Sequence, residues 1–379
     1  MADAPVQIHV RTHRDLRDGV APPWSAPLGF ATITPVKLRA LLSNPLLGPD
    51  EDPVQLIGTK GGVAIGRIDL VRGIVHVMPE GAAQAHDVPV YWGSEWYVPE
   101  EHRSTLVGVL LLLKLQQMRL NLGAHGPSQM AVPVYQKLKW ADLPFPRHIL
   151  PRRSRSIVEK FVGAGPHAAL LSLLADAGLA AHGVVLRRSL RARTAPLHAE
   201  PVEHLPPELD ADLRRPEPGK ASCHRSVAWL HWACSAAFNE DARTRRQLAL
   251  VRGQAGKVVG HLVVKTRFFE TASARGFKNV LLGSVHDWMV YDEGRRQGVR
   301  DDQLILLGAG LAASMGVDAL EVCTDDAPLR DTLKKMLFRE VGAMHLVFKG
   351  AVGGPLADAA FTKPGSWRIR PGDADNFLI

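Results

Sequence analysis

Residues 88–115 constrain this chain more tightly than any other stretch. VPVYWGSEWYV (88–98), rich in Val, Tyr and Trp, reads as a strand. A polar stretch follows, and then eight residues, 106–113, apolar apart from Gly108. Spanning a bilayer takes roughly 20 residues, so these leucines predict a buried helix. A helix N-terminus exposes unpaired N–H groups and carries roughly half a positive charge, which makes it a ready anion site. The amides from about Ser104 to Gly108 are therefore candidates to face a pyrophosphate, with Arg103 as a cationic partner. Gly108 removes a side chain where ligand and backbone approach closely.

At 379 residues the chain is comfortable for two domains. A composition of 46% hydrophobic and 22% charged residues excludes disordered and fibrous classes. Cys223, Cys234 and Cys323 are odd in number and lack metal-ligand spacing, which argues for reduced thiols and against a disulfide framework. With no signal-peptide pattern at the N-terminus, a cytoplasmic location is expected. The formal charge of +8 concentrates in PRRSR (151–155) and LRRSLRAR (186–193). These runs lack interleaved aromatics, so they read as solvated basic surface. Neither a nucleic-acid partner nor a membrane is expected.

VQLIGTKGGVAIGRIDLVRGIVHV (54–77) predicts a strand meander. SQMAVPVYQKLKW (128–140) predicts a helix capped by Ser128, with Pro133 in its first turn. Residues 154–183 predict helix, broken near 163–166, and the Pro- and acid-rich stretch 194–220 reads as a linker. The second half repeats the order of the first: strands in KVVGHLVVKT and NVLLGSVHDWMVY, a helix in RDDQLILLGAGLAASMG, a strand in DALEVCT, a helix in APLRDTLKKMLF and a strand in AMHLVFK. The fold class expected is α/β, two similar domains each with a mixed central sheet flanked by helices. They take residues 1–150 and 205–379, with a helical segment and Pro-rich linker over 151–204.

Residues 88–140 resemble the GCN5-related N-acetyltransferases (GNAT). In that family a strand leads to Arg/Gln-x-x-Gly-x-Gly/Ala at a helix start, and a second strand leads to Asn-x-x-Ala-x-x-x-Tyr. Here Arg103 holds the first position of the phosphate motif and Gly108 the last, while Leu106 stands where the middle glycine is usual. Ser128 replaces the asparagine, Ala131 and Tyr135 keep their spacing, and Lys139–Trp140 loosely closes the motif. The resemblance implies acetyl-CoA, or another acyl-CoA, as co-substrate. Its pyrophosphate would lie at Arg103, Ser104, Thr105, Leu106, Val107 and Gly108, its pantetheine along Trp96, Tyr97 and Val98, with Ser128 nearby. It further implies direct attack by an amine on the thioester, with Tyr135 as the acid that protonates the leaving thiolate. At a pKa of about 10 an ordinary tyrosine carries that proton at neutral pH.

Tyr135 also reads as a core aromatic. Glu95 is the best-placed carboxylate for a base, or else an ion-pair partner. His102 and His125 flank the motif and read as structural. RSVAWLHWAC (225–234), with the strands and helices C-terminal to it, resembles the second domain of tandem GNAT or FemAB-like proteins. There Arg295-x-x-Gly298 ends on Arg300 instead of a small residue, so this half is expected to be degenerate, without acyl-CoA, walling the acceptor site or pairing with the first half. His286 and Asp287, adjacent on a strand, should face opposite ways. Together with Asp292 and Glu293 they read as solvated or core-capping, and Asp373 and Asp375 as part of a turn before a terminal strand. No metal site is expected. The function expected is acyl transfer to a small-molecule amine, with a homodimer permitted by an exposed sheet edge. A FemAB-like aminoacyl-tRNA-dependent transferase and a non-catalytic acyl-CoA-binding protein are the alternatives.

Overall fold

The apolar runs around Gly61–Gly62 fold as a hairpin, and successive strands extend it into one sheet that runs through the molecule. The computed structural model describes residues 4–27, 30, 33, 35–163, 165–235, 243–270, 279–363 and 365–373. The first half begins with β1 (Val6–Thr12), α1 (His13–Arg17) and α2 (Pro35–Leu42), followed by β2 (Pro53–Lys60), β3 (Val63–Met78) and β4 (His86–Tyr97). It continues with α3 (Val107–Gln117), β5 (Leu122–His125), α4 (Val132–Lys137) and β6 (Ala141–Pro151). Helices α5 (Arg155–Val162) and α6 (Pro166–Thr194) lead to β7 (His198–Val202), α7 (Asp210–Leu213), β8 (Lys220–Cys223) and α8 (Val227–Ala233). The repeated order then follows: β9 (Thr244–Arg252), β10 (Val258–Phe269), β11 (Val280–Val290), α9 (Asp292–Arg296), α10 (Asp301–Ser314), β12 (Ala319–Cys323), α11 (Ala327–Lys335) and β13 (Arg339–Lys349). The two-residue β14 (Trp367–Arg368) ends the series.

The main path of the 14-stranded sheet is β1-β2-β3-β4-β5-β13-β6-β12-β11-β10-β9-β7, with β8 joining β3 to β14. Strands β6 and β13 are exchanged. Within this order β13, from the second half, lies between β5 and β6, and β6, from the first half, lies between β13 and β12. Parallel pairs occur at β4–β5 and β11–β12, where a helix connects the strands as parallel pairing requires.

Helices cover the sheet with the spacing their sequences dictate. In α3 the residues Val107, Leu111, Leu112 and Leu115 are buried against Leu56, Ile68 and Leu70, while Leu110 and Leu113 turn outward. In α10 the residues Leu304, Ile305, Ala309 and Ala312 pack with Val264, Val285 and Val317. Residues 194–220, expected as a linker, are ordered instead. They include β7, which pairs with β9, as well as α7, because His198–Val202 can complete the free edge of that strand.

A cluster of charged groups lies buried in the second half. Arg225 donates through Nε to Asp287 at 2.5 Å and through Nη2 to Asp373, and all three side chains are essentially inaccessible. Arg370 Nε lies 3.7 Å from the other Asp287 oxygen, and its backbone N–H donates to Asp373. His261 Nε2 is 3.5 Å from Asp287, and His261 Nδ1 is 3.0 Å from the Tyr291 hydroxyl. Burial acts to raise the Asp287 carboxyl, but Arg225 and Arg370 outweigh it and hold the group well below the usual range. Asp287 and Asp373 are thus interior ion-pair partners; Asp287 is not solvated, whereas Asp373 also keeps the turn expected of it, its N–H donating to the Arg370 carbonyl. Asp375 lies outside the described residues.

Removing one partner of such a pair leaves a buried, uncompensated charge. Asp287→Ala should lower unfolding free energy by about 3–5 kcal/mol, measured by urea denaturation of the full chain. The Asp302→Ala change, at a half-buried surface ion pair with Arg300, should fall within about 1 kcal/mol of the parent.

Candidate active site

The candidate site is built where β4 and β5 part. These strands pair in parallel at Tyr91–Leu122 and Trp92–Gly123 only. Beyond that point β4 is paired only with β3 and β5 only with β13, each on its outer edge, so a wedge opens between two parallel strands. On the β3–β4 side the register slips between Arg67–Tyr97 and Asp69–Ser94, placing Glu95 and Trp96 opposite Ile68 alone. This is a β-bulge, with Glu95 at φ 52°, and it re-aims both side chains.

Glu95 joins a largely buried polar group on the α2 side. It accepts from Arg67 and lies 3.3 Å from Lys37 Nζ. Lys37 also reaches Asp69 at 2.9 Å and Ser94 at 3.0 Å, while Gln55 and Arg67 donate to Asp69. The ion-pair alternative for Glu95 is therefore realised. Its side chain stays 44% exposed, so solvent still reaches it.

Trp96 extends the other way, between α3 and α4. Its ring lies edge-on to Tyr135, with centroids 5.6 Å apart, and Trp140 flanks the tyrosine at 4.8 Å. A Cβ on Gly108 would sit 3.0 Å from the Trp96 ring, so the glycine makes room for the indole. Trp96 Nε1 is buried without a hydrogen-bond partner among the described residues. The aromatic thus bridges the residues expected to hold the two ends of a cofactor arm.

The phosphate loop differs in detail from expectation. Residues 100–105 form a 3-10 turn, Leu106 adopts the left-handed conformation at φ 59°, and α3 begins at Val107. The free helix-end amides are accordingly those of Val107, Gly108 and Val109, one turn later than Ser104, since the first α-type bond runs from Leu110 N–H to the Leu106 carbonyl. Arg103 and Ser104 are exposed beside them, and Thr105 donates to the His102 carbonyl. Tyr97 meets Phe30 edge-on at 5.9 Å, and Val98 packs against Gly66. Ser128 does not cap α4, whose N-cap is Ala131; its Oγ accepts from the Ala131 N–H at 3.3 Å. Tyr135 is buried in the α3 core, and His125 stacks on Phe145 with Nδ1 3.2 Å from the Asp373 carbonyl.

The second half repeats the wedge. Strands β11 and β12 pair at residues 282–284 and 319–321 and then diverge. A cleft of about 560 Å³ opens there, lined by Trp288, the start of α10 and the residues leading into α11. It carries Arg295, Arg300, Arg368 and Lys220 together with Glu217, Asp301, Asp302, Asp325 and Asp326. Arg300 is turned onto Asp302 by two bonds of 3.0 Å, and Arg368 onto Asp301 at 2.5 Å. Carboxylates thus already occupy the helix end that a phosphate would use. The tail also enters: Trp367 and Ile369 line the cleft, and the Gly372 N–H donates to the His286 carbonyl. The Arg295-x-x-Gly298 spacing was the sequence signal for this second wedge, whereas the tail's path had none.

No family model and no curated protein matches the sequence. Among solved structures the chain is similar to Saccharomyces cerevisiae N-myristoyltransferase with bound myristoyl-CoA. The TM-score is 0.50 at 12% identity, over 88% of this chain and 76% of that one. Also found are a tandem GNAT protein from the clavulanic acid biosynthesis pathway (TM-score 0.47, 13% identity, 92% and 99% covered) and Eis1 from Mycobacterium abscessus (0.43, 16%, 90% and 73%). The likeness to the yeast protein is one of fold.

Burial pushes His125 down to about 4, so the folded state keeps it neutral. Between its ordinary value near 6.5 and 4 the unfolded chain binds the extra proton, and stability should fall as pH falls through that window. The loss attributable to this group is on the order of 3 kcal/mol. Chemical denaturation at pH 7 and pH 4 should show His125→Gln losing less than the parent over that interval.

Proposed function

We propose that this chain is an acyl-CoA-dependent N-acyltransferase, moving an acyl group, acetyl first among candidates, to a primary amine. The observation that carries the proposal is the wedge between β4 and β5, with the open end of α3 on one side and Tyr135 of α4 on the other. Strands that part leave backbone amides and carbonyls free to hold an extended arm. The amides of Val107–Val109, with Arg103 beside them, suit its pyrophosphate. Swinging Trp96 away from Gly108 and Tyr135 admits the arm, and the unpartnered indole N–H loses no hydrogen bond in moving.

The amine nitrogen attacks the thioester carbonyl carbon, the C–S bond breaks, and an amide and free CoA thiol result. Tyr135 gives its hydroxyl proton to the departing sulfur, and Glu95 takes the proton released by the amine, directly or through water. Holding both reactants in one wedge supplies much of the acceleration, without a covalent intermediate. The yeast N-myristoyltransferase carries myristoyl-CoA on this fold, so the donor series to test runs from acetyl to myristoyl. We assign the donor to the first half because the second wedge is lined with carboxylates and entered by the tail. The departures at Leu106 and Ser128 favour one second reading, a fold that binds acyl-CoA without turnover.

Calorimetric titration with acetyl-CoA and longer acyl-CoAs should give one-to-one binding. Arg103→Glu should weaken it about tenfold or more, reversing a charge at the phosphate site. Tyr135→Phe should leave binding intact and lower thiol release from a panel of amines by about 10²-fold or more. Equal affinity in Arg103→Glu would remove the phosphate assignment. Binding with no thiol released by the parent would establish the second reading.

A further inference from the structure

The long helix α6 has two faces of different origin. One packs on the protein. Leu186 and Leu190 join the core around α10, Gly183 faces Arg152, and Ser172 and Asp176 hold the start of α5, accepting from Ser154 at 3.1 Å and 2.6 Å. The opposite face carries Leu170, Leu173, Leu174, Ala177, Ala181, Val184 and Val185, all exposed. These positions recur every three or four residues and so form one stripe, about 24 Å long at 1.5 Å per residue. Leu170, Leu173, Leu174 and Val185 are 61%, 68%, 65% and 63% exposed. A solvated outward face would be polar; this one is apolar for about four turns.

Charge identifies the occupant. Among its 29 residues α6 has four arginines, Arg187, Arg188, Arg191 and Arg193, against a single carboxylate, Asp176, which is engaged by Ser154. All four arginines are exposed, and among the described residues no carboxylate pairs with them. Arg188 and Arg191 continue the line of the apolar stripe. Arg152 adds to them at the base of α5, where burial together with the nearby Arg187 pushes its guanidinium down, whereas Arg153 pairs with Asp318 and Arg155 with Glu159.

We propose that α6 is a membrane-surface helix that lays this stripe into the headgroup region of an anionic bilayer, its arginines meeting lipid phosphates. Among the described residues it is the one helix long and apolar enough to cross a membrane, but Leu186 and Leu190 tie its second half to the protein core, so it lies in the interface. Apolar burial and attraction to anionic lipid act together at such a helix. A second copy of the chain is the poorer occupant, because its own α6 brings the same arginines and no outward carboxylate to meet them. The inference is independent of the acyl-transfer reading, and its test measures no activity.

The full chain is mixed with vesicles of phosphatidylcholine alone, or with about a third phosphatidylglycerol, and floated on a density gradient. Binding is expected to the anionic vesicles and to weaken with salt. Leu173→Ser/Leu174→Ser and, separately, Arg188→Glu/Arg191→Glu should each lower partition about tenfold or more. All four residues are exposed, so an unchanged thermal midpoint establishes that the variants are folded. Absence of binding by the parent, or undiminished binding by both variants, overturns the proposal. So does light scattering that shows a dimer broken by Leu173→Ser/Leu174→Ser, which would assign the stripe to a second copy.

Discussion

The antiparallel pairing of β6 with β13 holds the molecule together. The parallel pairs β4–β5 and β11–β12 each part after two or three residues, while the inner strand of each stays paired along its whole length on its other edge. Strand β5 pairs with β13 and strand β12 with β6, so the end strand of one half backs the wedge of the other and leaves the wedge itself open. A sheet edge that would otherwise template aggregation is closed within the chain. The same exchange gives the fold two wedges, each with a helix N-terminus at its mouth, from one repeated order of strands and helices.

The two wedges are lined differently. In the first, a β-bulge sends Glu95 to a buried polar group and Trp96 between the two helices, where Gly108 leaves room for the ring. That wedge is filled by an aromatic ring, with a charged group around Glu95 on its other side. In the second, Asp301 and Asp302 sit at the helix start, arginines are turned onto them, and the C-terminal tail enters from the floor. The tail continues into the buried cluster of Arg225, Asp287 and Asp373, which ties residues far apart in sequence to one point. Asp373 in turn meets His125 of the first half through its carbonyl.

Helix α6 stands outside this logic, which is why its outward face is informative. A surface that the fold does not need to bury, yet keeps apolar for about four turns beside exposed arginines, fits a partner that is itself amphiphilic. The arginines of LRRSLRAR are solvated, while its leucines Leu186 and Leu190 are buried, and the helix places Arg188 and Arg191 in line with the exposed leucines.

Much of this was legible in the residues alone. The hairpin at 54–77, the α3 and α10 helices, the repeated strand–helix order and the α/β class all follow from local periodicity, because burying one face requires a fixed spacing within a single element. The site was legible in part: the Arg103–Gly108 spacing and Tyr135 lead to the wedge through a local motif. The start of α3 at Val107, the β-bulge at Glu95 and the place of Trp96 were not, since each depends on how β4 registers against β3. Nor could the sequence show that Glu95 would meet Arg67 and Lys37, that Asp373 would meet Arg225, or that β6 and β13 would exchange. Those contacts join residues from 28 to 148 or more positions apart. They are decided by pairing of backbone edges and compensation of buried charge, which no local pattern records and only the assembled sheet brings together.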